Sequence, residues 1–221
     1  MNSISLFLDE LKGFYKSNVM LFLWIGLPLL SILFHLWSPN FGEEISFSFV
    51  TSSVLGSIGG LFASIMLAVH IIHEKHQGVY ELFLIRPIKR RDIILSKFAA
   101  VFLCVAVASG LALLLGFAMD LVLHGGIPNE VLGNSMRSFV LSLFTIAIAS
   151  SAGVLIGVIS SSVLVGIILV IFLSSNISSL TMMLPTIVQL QHPFLISAGI
   201  GVSLTLGIML VAIFLFNRLQ F

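Results

Sequence analysis

Charge is what this chain has least of. Only 9% of its 221 residues are charged, where an average soluble domain carries about 25%. A water-soluble fold of this length would need far more polar surface than that. Cysteine is almost absent too. The single Cys104 excludes an intrachain disulfide and any cysteine-based metal site. A net charge of +1 gives no ground for a nucleic-acid partner. There is no Gly-x-x-x-x-Gly-Lys-Ser/Thr sequence, so nucleotide chemistry would have to come from another chain. No loop exceeds about 25 residues, too short for a soluble domain of about 50. The leading segment, Met1 to Lys12, lacks a basic start and carries Asp9 and Glu10 early. It does not read as a secretory signal, so the first membrane span is expected to stay in the mature protein.

What the chain does have is long apolar runs. Hydrophobic residues make up 58% of it, and the mean hydropathy is +1.18. The runs are continuous rather than short and alternating, which excludes a membrane β-barrel. The expected class is all-α: a polytopic membrane protein forming one transmembrane domain over residues 1–221. A span needs about 20 mostly apolar residues. Six such runs fall near 18–37, 50–73, 96–123, 136–160, 162–182 and 195–217.

Residues 1–17 differ from a span. Ile4, Phe7, Leu8, Leu11, Phe14 and Tyr15 recur every three or four positions, with Asp9, Glu10, Lys12 and Lys16 between them. This pattern predicts an amphipathic helix lying in the membrane interface, either as an anchor or as a lever joined to the first span. Residues 175–194 are half-polar and uncharged. They are expected either to re-enter the outer leaflet as short helices, since irregular backbone at that depth must be buried in protein or face water, or to form a simple kinked span end.

Lysine and arginine set the orientation. Six spans put both termini on the side of the second–third and fourth–fifth loops. That side collects Lys12, Lys16, Lys75, Arg86, Lys89, Arg90, Arg91, Lys97 and Arg218, against Arg137 alone on the other. Both termini are therefore expected in the cytoplasm of a cell (inner or plasma) membrane.

The basic residues gather in one loop, 74–95. Gly78 is expected to end the second span, since glycine is a poor helix interior. Tyr80, Leu82, Phe83 and Leu84 then lie on a short helical segment from Val79 to Ile85. Pro87 stops it and turns Arg86 away from helical angles. Asp92 is expected to cap the third span. Leaving Leu82 and Phe83 in water would cost about 1.5–3 kcal/mol each, so they should fill a groove.

The order Glu74, Gly78, Glu81, Leu82, Pro87, Arg90 or Arg91, Ile93 and Lys97 resembles the loop of ABC-2-type transporter permeases. The interfacial helix, six spans and long fifth–sixth connection are similar as well. The resemblance implies a permease without an active site of its own, paired with a second permease subunit as a homodimer in preference to a heterodimer. It implies energy from an ABC ATP-binding subunit, which would carry the ATP and Mg; the permease itself would hold no cofactor. The 79–85 segment would be the coupling helix. Docking would fall to Gly78, Tyr80, Glu81, Leu82, Phe83, Arg86, Pro87, Arg90 and Arg91, with the basic residues also able to meet membrane lipids. The cargo would be lipidic or amphipathic and would be exported. Two other readings use the same loop to recruit a soluble partner: a membrane scaffold and an intramembrane enzyme.

Three further groups stand out. His70, His73 and His76 recur beside Glu74, but His73-Glu74-Lys75-His76 is one residue short of the His-Glu-x-x-His zinc motif, and no metal is expected. Asp120 is a candidate buried charge, with Arg137 its expected partner. Gly56-x-x-x-Gly60 and Gly153-x-x-x-Gly157 permit close helix contact, inside one subunit or at a gate or dimer seam.

Overall fold

Every element of the computed structural model is an α-helix among the residues it describes, which are 3–37, 47–79, 89–124, 129–173, 176 and 193–218. The helices are α1 (Ser3–Tyr15), α2 (Asn18–Trp37), α3 (Phe47–His76), α4 (Arg90–His124), α5 (Asn129–Ile159), α6 (Val163–Leu173) and α7 (Pro193–Arg218). Four stretches are long and apolar enough to cross a bilayer: Val54–His76, Arg90–Val122, Asn129–Ile159 and Phe194–Arg218. They correspond to the expected second, third, fourth and sixth spans. The expected first corresponds to α2, which runs the 20 residues from Asn18 to Trp37, and the expected fifth to α6, apolar over its described residues Val163–Leu173. Among the described residues, four helices are thus long and apolar enough to cross a membrane, where the sequence pattern predicts six spans.

The helices begin and end for local reasons. Ser17 caps α2: its hydroxyl accepts a hydrogen bond from the Met20 amide at 3.2 Å, satisfying one of the free donors at a helix start. α4 begins at Arg90, six residues before the apolar run. Asp92 therefore lies in its first turn, where its charge complements the helix dipole, and Lys89 occupies the preceding cap position. α5 ends at Ile159 and α6 starts at Val163, so the break falls at Ser160–Ser162 as the sequence suggests.

The pairing of α3 with α5 is the most extensive in the bundle, and α4, α6 and α7 pack around it. Lipid tails are as apolar as leucine, so the pairing rests on close packing rather than on escape from water. Small residues make this possible. A Cβ built on Gly153 would stand 2.6 Å from Ser64 Cα, and one on Gly157 3.1 Å from Ala68 Cα. One on Gly56 would meet Ser142 Cβ at 2.9 Å, and one on Gly60 the Ala149 Cβ at 3.1 Å. Both glycine motifs therefore serve contacts within one chain. Ser64, Ser142, Ser150 and Ser151 sit along this contact with their hydroxyls bonded to carbonyls three or four residues back, so no donor is wasted.

The expected amphipathic helix is α1. Leu6 and Phe14 are buried, with Phe7 and Leu11 packed beside them, while Asp9, Lys12 and Gly13 are exposed. It lies against α4. Ile4, Leu8 and Tyr15 also remain exposed, which gives α1 a second apolar edge suited to lipid.

Candidate functional site

The polar contacts between helices gather at the two ends of the bundle. At one end Asp120, on α4, is buried. Its Oδ2 accepts the Ser48 amide at 2.9 Å in the first turn of α3, and Ser48 Oγ meets Ser135 Oγ of α5 at 2.8 Å. A carboxylate on a helix start satisfies free amides and opposes the positive end of the dipole. Asp120 thus ties together the same end of three helices. Arg137 is exposed on α5, two turns into a helix that begins earlier than the apolar pattern suggests.

The opposite end holds the other termini of α3, α4 and α5 and nearly all the described basic residues. Lys75, near the end of α3, donates to the carbonyls of Val158 (3.3 Å) and Ser160 (3.5 Å) at the end of α5. Arg90 Nη1, at the start of α4, stands 3.5 Å from the Asn217 carbonyl at the end of α7. Both place a cation on the negative end of a helix dipole. The N-terminal helix, both ends of the α3–α4 loop, the α5–α6 turn and the end of α7 therefore meet on one side.

At the centre of this end is a group of charges that the sequence reading did not assemble. Lys97, on α4, is fully buried. Its ammonium lies 2.7 Å from Glu10 Oε1 on α1 and 2.7 Å from Glu74 Oε1 on α3. His70 Nδ1 is 3.5 Å from the same ammonium and 3.2 Å from Glu74 Oε1. Depending on its tautomer, it accepts from the lysine or donates to the glutamate. The His70 ring leans on Phe14 of α1, with centroids 4.7 Å apart. Glu74 Oε2 is buried and makes no hydrogen bond among the described residues.

One ammonium thus serves two carboxylates from two other helices. A buried lysine without such partners would be very costly, so the three residues are mutually required. The ligand atoms of Glu10, His70 and Glu74 lie within 4.8 Å of one another, a spacing that could hold a metal. Lys97 already fills that place with its own positive charge. His73 and His76 are exposed and point elsewhere, His73 Nε2 lying 2.9 Å from Gln77 Nε2. The histidine stripe is therefore split, with only His70 joining the cluster.

Four residues beyond Glu74, Gly78 adopts φ 66° and its amide turns back toward the Lys75 carbonyl at 3.4 Å. This is the left-handed helix stop that glycine alone adopts without penalty. Gly78→Ala should cost about 1–2 kcal/mol, read as a lower thermal midpoint of the purified protein in detergent. Of the other expected docking residues, Arg90 lies at the start of α4 and Arg91 is exposed, 3.5 Å from Asp92. Tyr80, Glu81, Leu82, Phe83, Arg86 and Pro87 lie outside the described residues, as does most of 175–194.

Long apolar helices, small-residue packing and charge confined to the bundle ends define a polytopic α-helical membrane protein. The sequence signature of the ABC-2 family transporter proteins matches residues 5–217, all but the two extremities. The chain belongs to that family and is a membrane transport component. Among curated proteins none matches it.

Proposed function

We propose that the chain is the six-span transmembrane subunit of an ATP-driven exporter, energised by a separate ABC ATP-binding subunit that docks on the 74–95 loop at the cytoplasmic face. The observation that carries this reading is the convergence of α1, both flanks of the loop and the buried Lys97 cluster at the basic end of the bundle. A push on the loop there would reach three helices at once. Lys89 and Arg91, exposed beside the loop, supply charge for acidic groups of the partner or for anionic headgroups.

A second copy of the chain is proposed to pair along α2 and α6, with α3 behind α2. α2 leaves Val19, Phe22, Ile25, Leu29 and Leu33 exposed, and α6 leaves Leu164, Ile168 and Phe172. Between α2 and α3 runs an apolar groove of about 260 Å³, lined by Val19, Phe22, Leu23, Gly26, Leu27, Leu29, Leu33 and Phe62. Opening of this seam by ATP binding would offer an apolar path, which suits lipidic or amphipathic cargo.

Docking is tested by Leu82→Asp combined with Phe83→Asp. The pair should abolish co-purification of the ATP-binding subunit while leaving the permease in the membrane. Full recovery of the subunit with the variant would refute docking through this segment.

A further inference from the structure

The Lys97 cluster lies between the proposed docking loop and the N-terminal helix. Glu74 sits four residues before the Gly78 stop, about 6 Å along the helix. Lys97 lies seven residues into α4, about 10 Å from its start. Each flank of the loop therefore contributes one member, and α1 contributes the third. α1 in turn runs into α2 through only Lys16 and Ser17, and the Ser17 cap holds that corner.

We propose that Glu10, Glu74 and Lys97 form an ionic clip that makes α1 travel with the α3–α4 loop, so that motion delivered at the loop is passed on to α2. The proposal rests on the docking reading above. The three act as positioning residues, passing motion between helices.

Stability alone does not account for the cluster. A buried ion triad is commonly no more stabilising than well-packed apolar residues of similar volume, and an apolar contact would hold α1 against α4 equally well. The triad adds intolerance of displacement. Its ammonium is 2.7 Å from each carboxylate, and among the described residues Glu74 Oε2 makes no hydrogen bond. Among the described residues no spare donor stands by to follow a carboxylate that moves away. Sliding α1 against α3 or α4 would strip the lysine from one glutamate and leave a largely buried charge without its partner. An apolar contact would slide over the same distance at little cost. Phe14 against His70 adds a second, softer link from α1 to α3.

The test uses the assembled transporter with its ATP-binding partner. Cys104, buried in α4, is first replaced by alanine to remove the native thiol. One spin label per subunit is placed at Lys12 on α1 or at Gln77 beside the loop, both exposed positions. Distances between the two labels of the dimer are measured without nucleotide and with ADP–vanadate. In the parent protein both distances should shift. In Glu10→Gln the Gln77 shift should persist and the Lys12 shift should be lost. Glu10→Asp, which shortens the side chain without removing its charge, should shrink the Lys12 shift and serves if the glutamine variant does not assemble. A Lys12 shift of parental size in either variant overturns the clip while leaving docking intact. Absence of any shift at Gln77 in the parent protein overturns the docking reading, and the clip with it.

Discussion

Lys97→Met should destabilise the protein by about 3–5 kcal/mol, the usual cost of removing one partner from a buried ion pair. The substitution keeps most of the side chain's bulk, so the loss is electrostatic rather than a cavity. Two carboxylates, Glu10 and Glu74, would be left facing each other with side chains only 12% and 14% exposed. Thermal unfolding in detergent is the measurement, compared with abundance in the membrane. The origin of the loss can be isolated. Adding Glu10→Gln and Glu74→Gln to Lys97→Met removes the charges that the lysine had compensated, and most of the stability should return. A triple variant no more stable than Lys97→Met alone would mean that the lysine acts through packing. The triple variant also bears on function: it should fold, yet pass on no motion from the loop.

Gly153→Val should be the most damaging single change within the bilayer. The added side chain would start 2.6 Å from Ser64 Cα and 2.9 Å from its carbonyl carbon, which are backbone atoms that no rotamer change can move. Overpacking of this kind costs about 1–3 kcal/mol even where side chains can yield, and here the helices themselves must separate. The expected result is loss of folded protein, seen as failure to run as a single species on size exclusion. Gly207→Ala in α7 is the control. Nothing lies within 4 Å of the added carbon, and a helix interior gains about 0.5–1 kcal/mol from alanine over glycine. It should be neutral or mildly stabilising. Equal damage at both positions would mean that the close α3–α5 approach is not what makes Gly153 intolerant of a side chain.

Composition alone makes the membrane class legible, because a chain so poor in charge has no soluble alternative. The bounds of α2 match the first apolar run at both ends, Asn18 and Trp37. α4 and α5 are longer than their apolar runs because a helix does not stop where hydrophobicity stops; Arg90 to Leu95 and Asn129 to Ser135 are helical too. That extension carries Asp92 into the first turn and Arg137 two turns inward. The glycine motifs are visible in the sequence, but their partners are not, since α3 and α5 are remote in the chain.

The Lys97 cluster was hidden for a similar reason. Glu10 alternates with apolar residues exactly as the wet face of an amphipathic helix does. Glu74 and Lys97 stand in the loop pattern as separate letters. Only folding brings together residues 23 and 87 positions from Lys97. One signal was present: a lysine at the mouth of an uninterrupted apolar run is expensive there, and asks for a partner.

The transporter reading is tested most directly by a photo-crosslinking amino acid at Leu82, activated in native membranes. The expected product is a covalent adduct between this chain and an ABC ATP-binding subunit, lost when the leucine-flanked segment is made acidic at Phe83. Adducts to lipid alone, or to proteins without a nucleotide-binding fold, would contradict it.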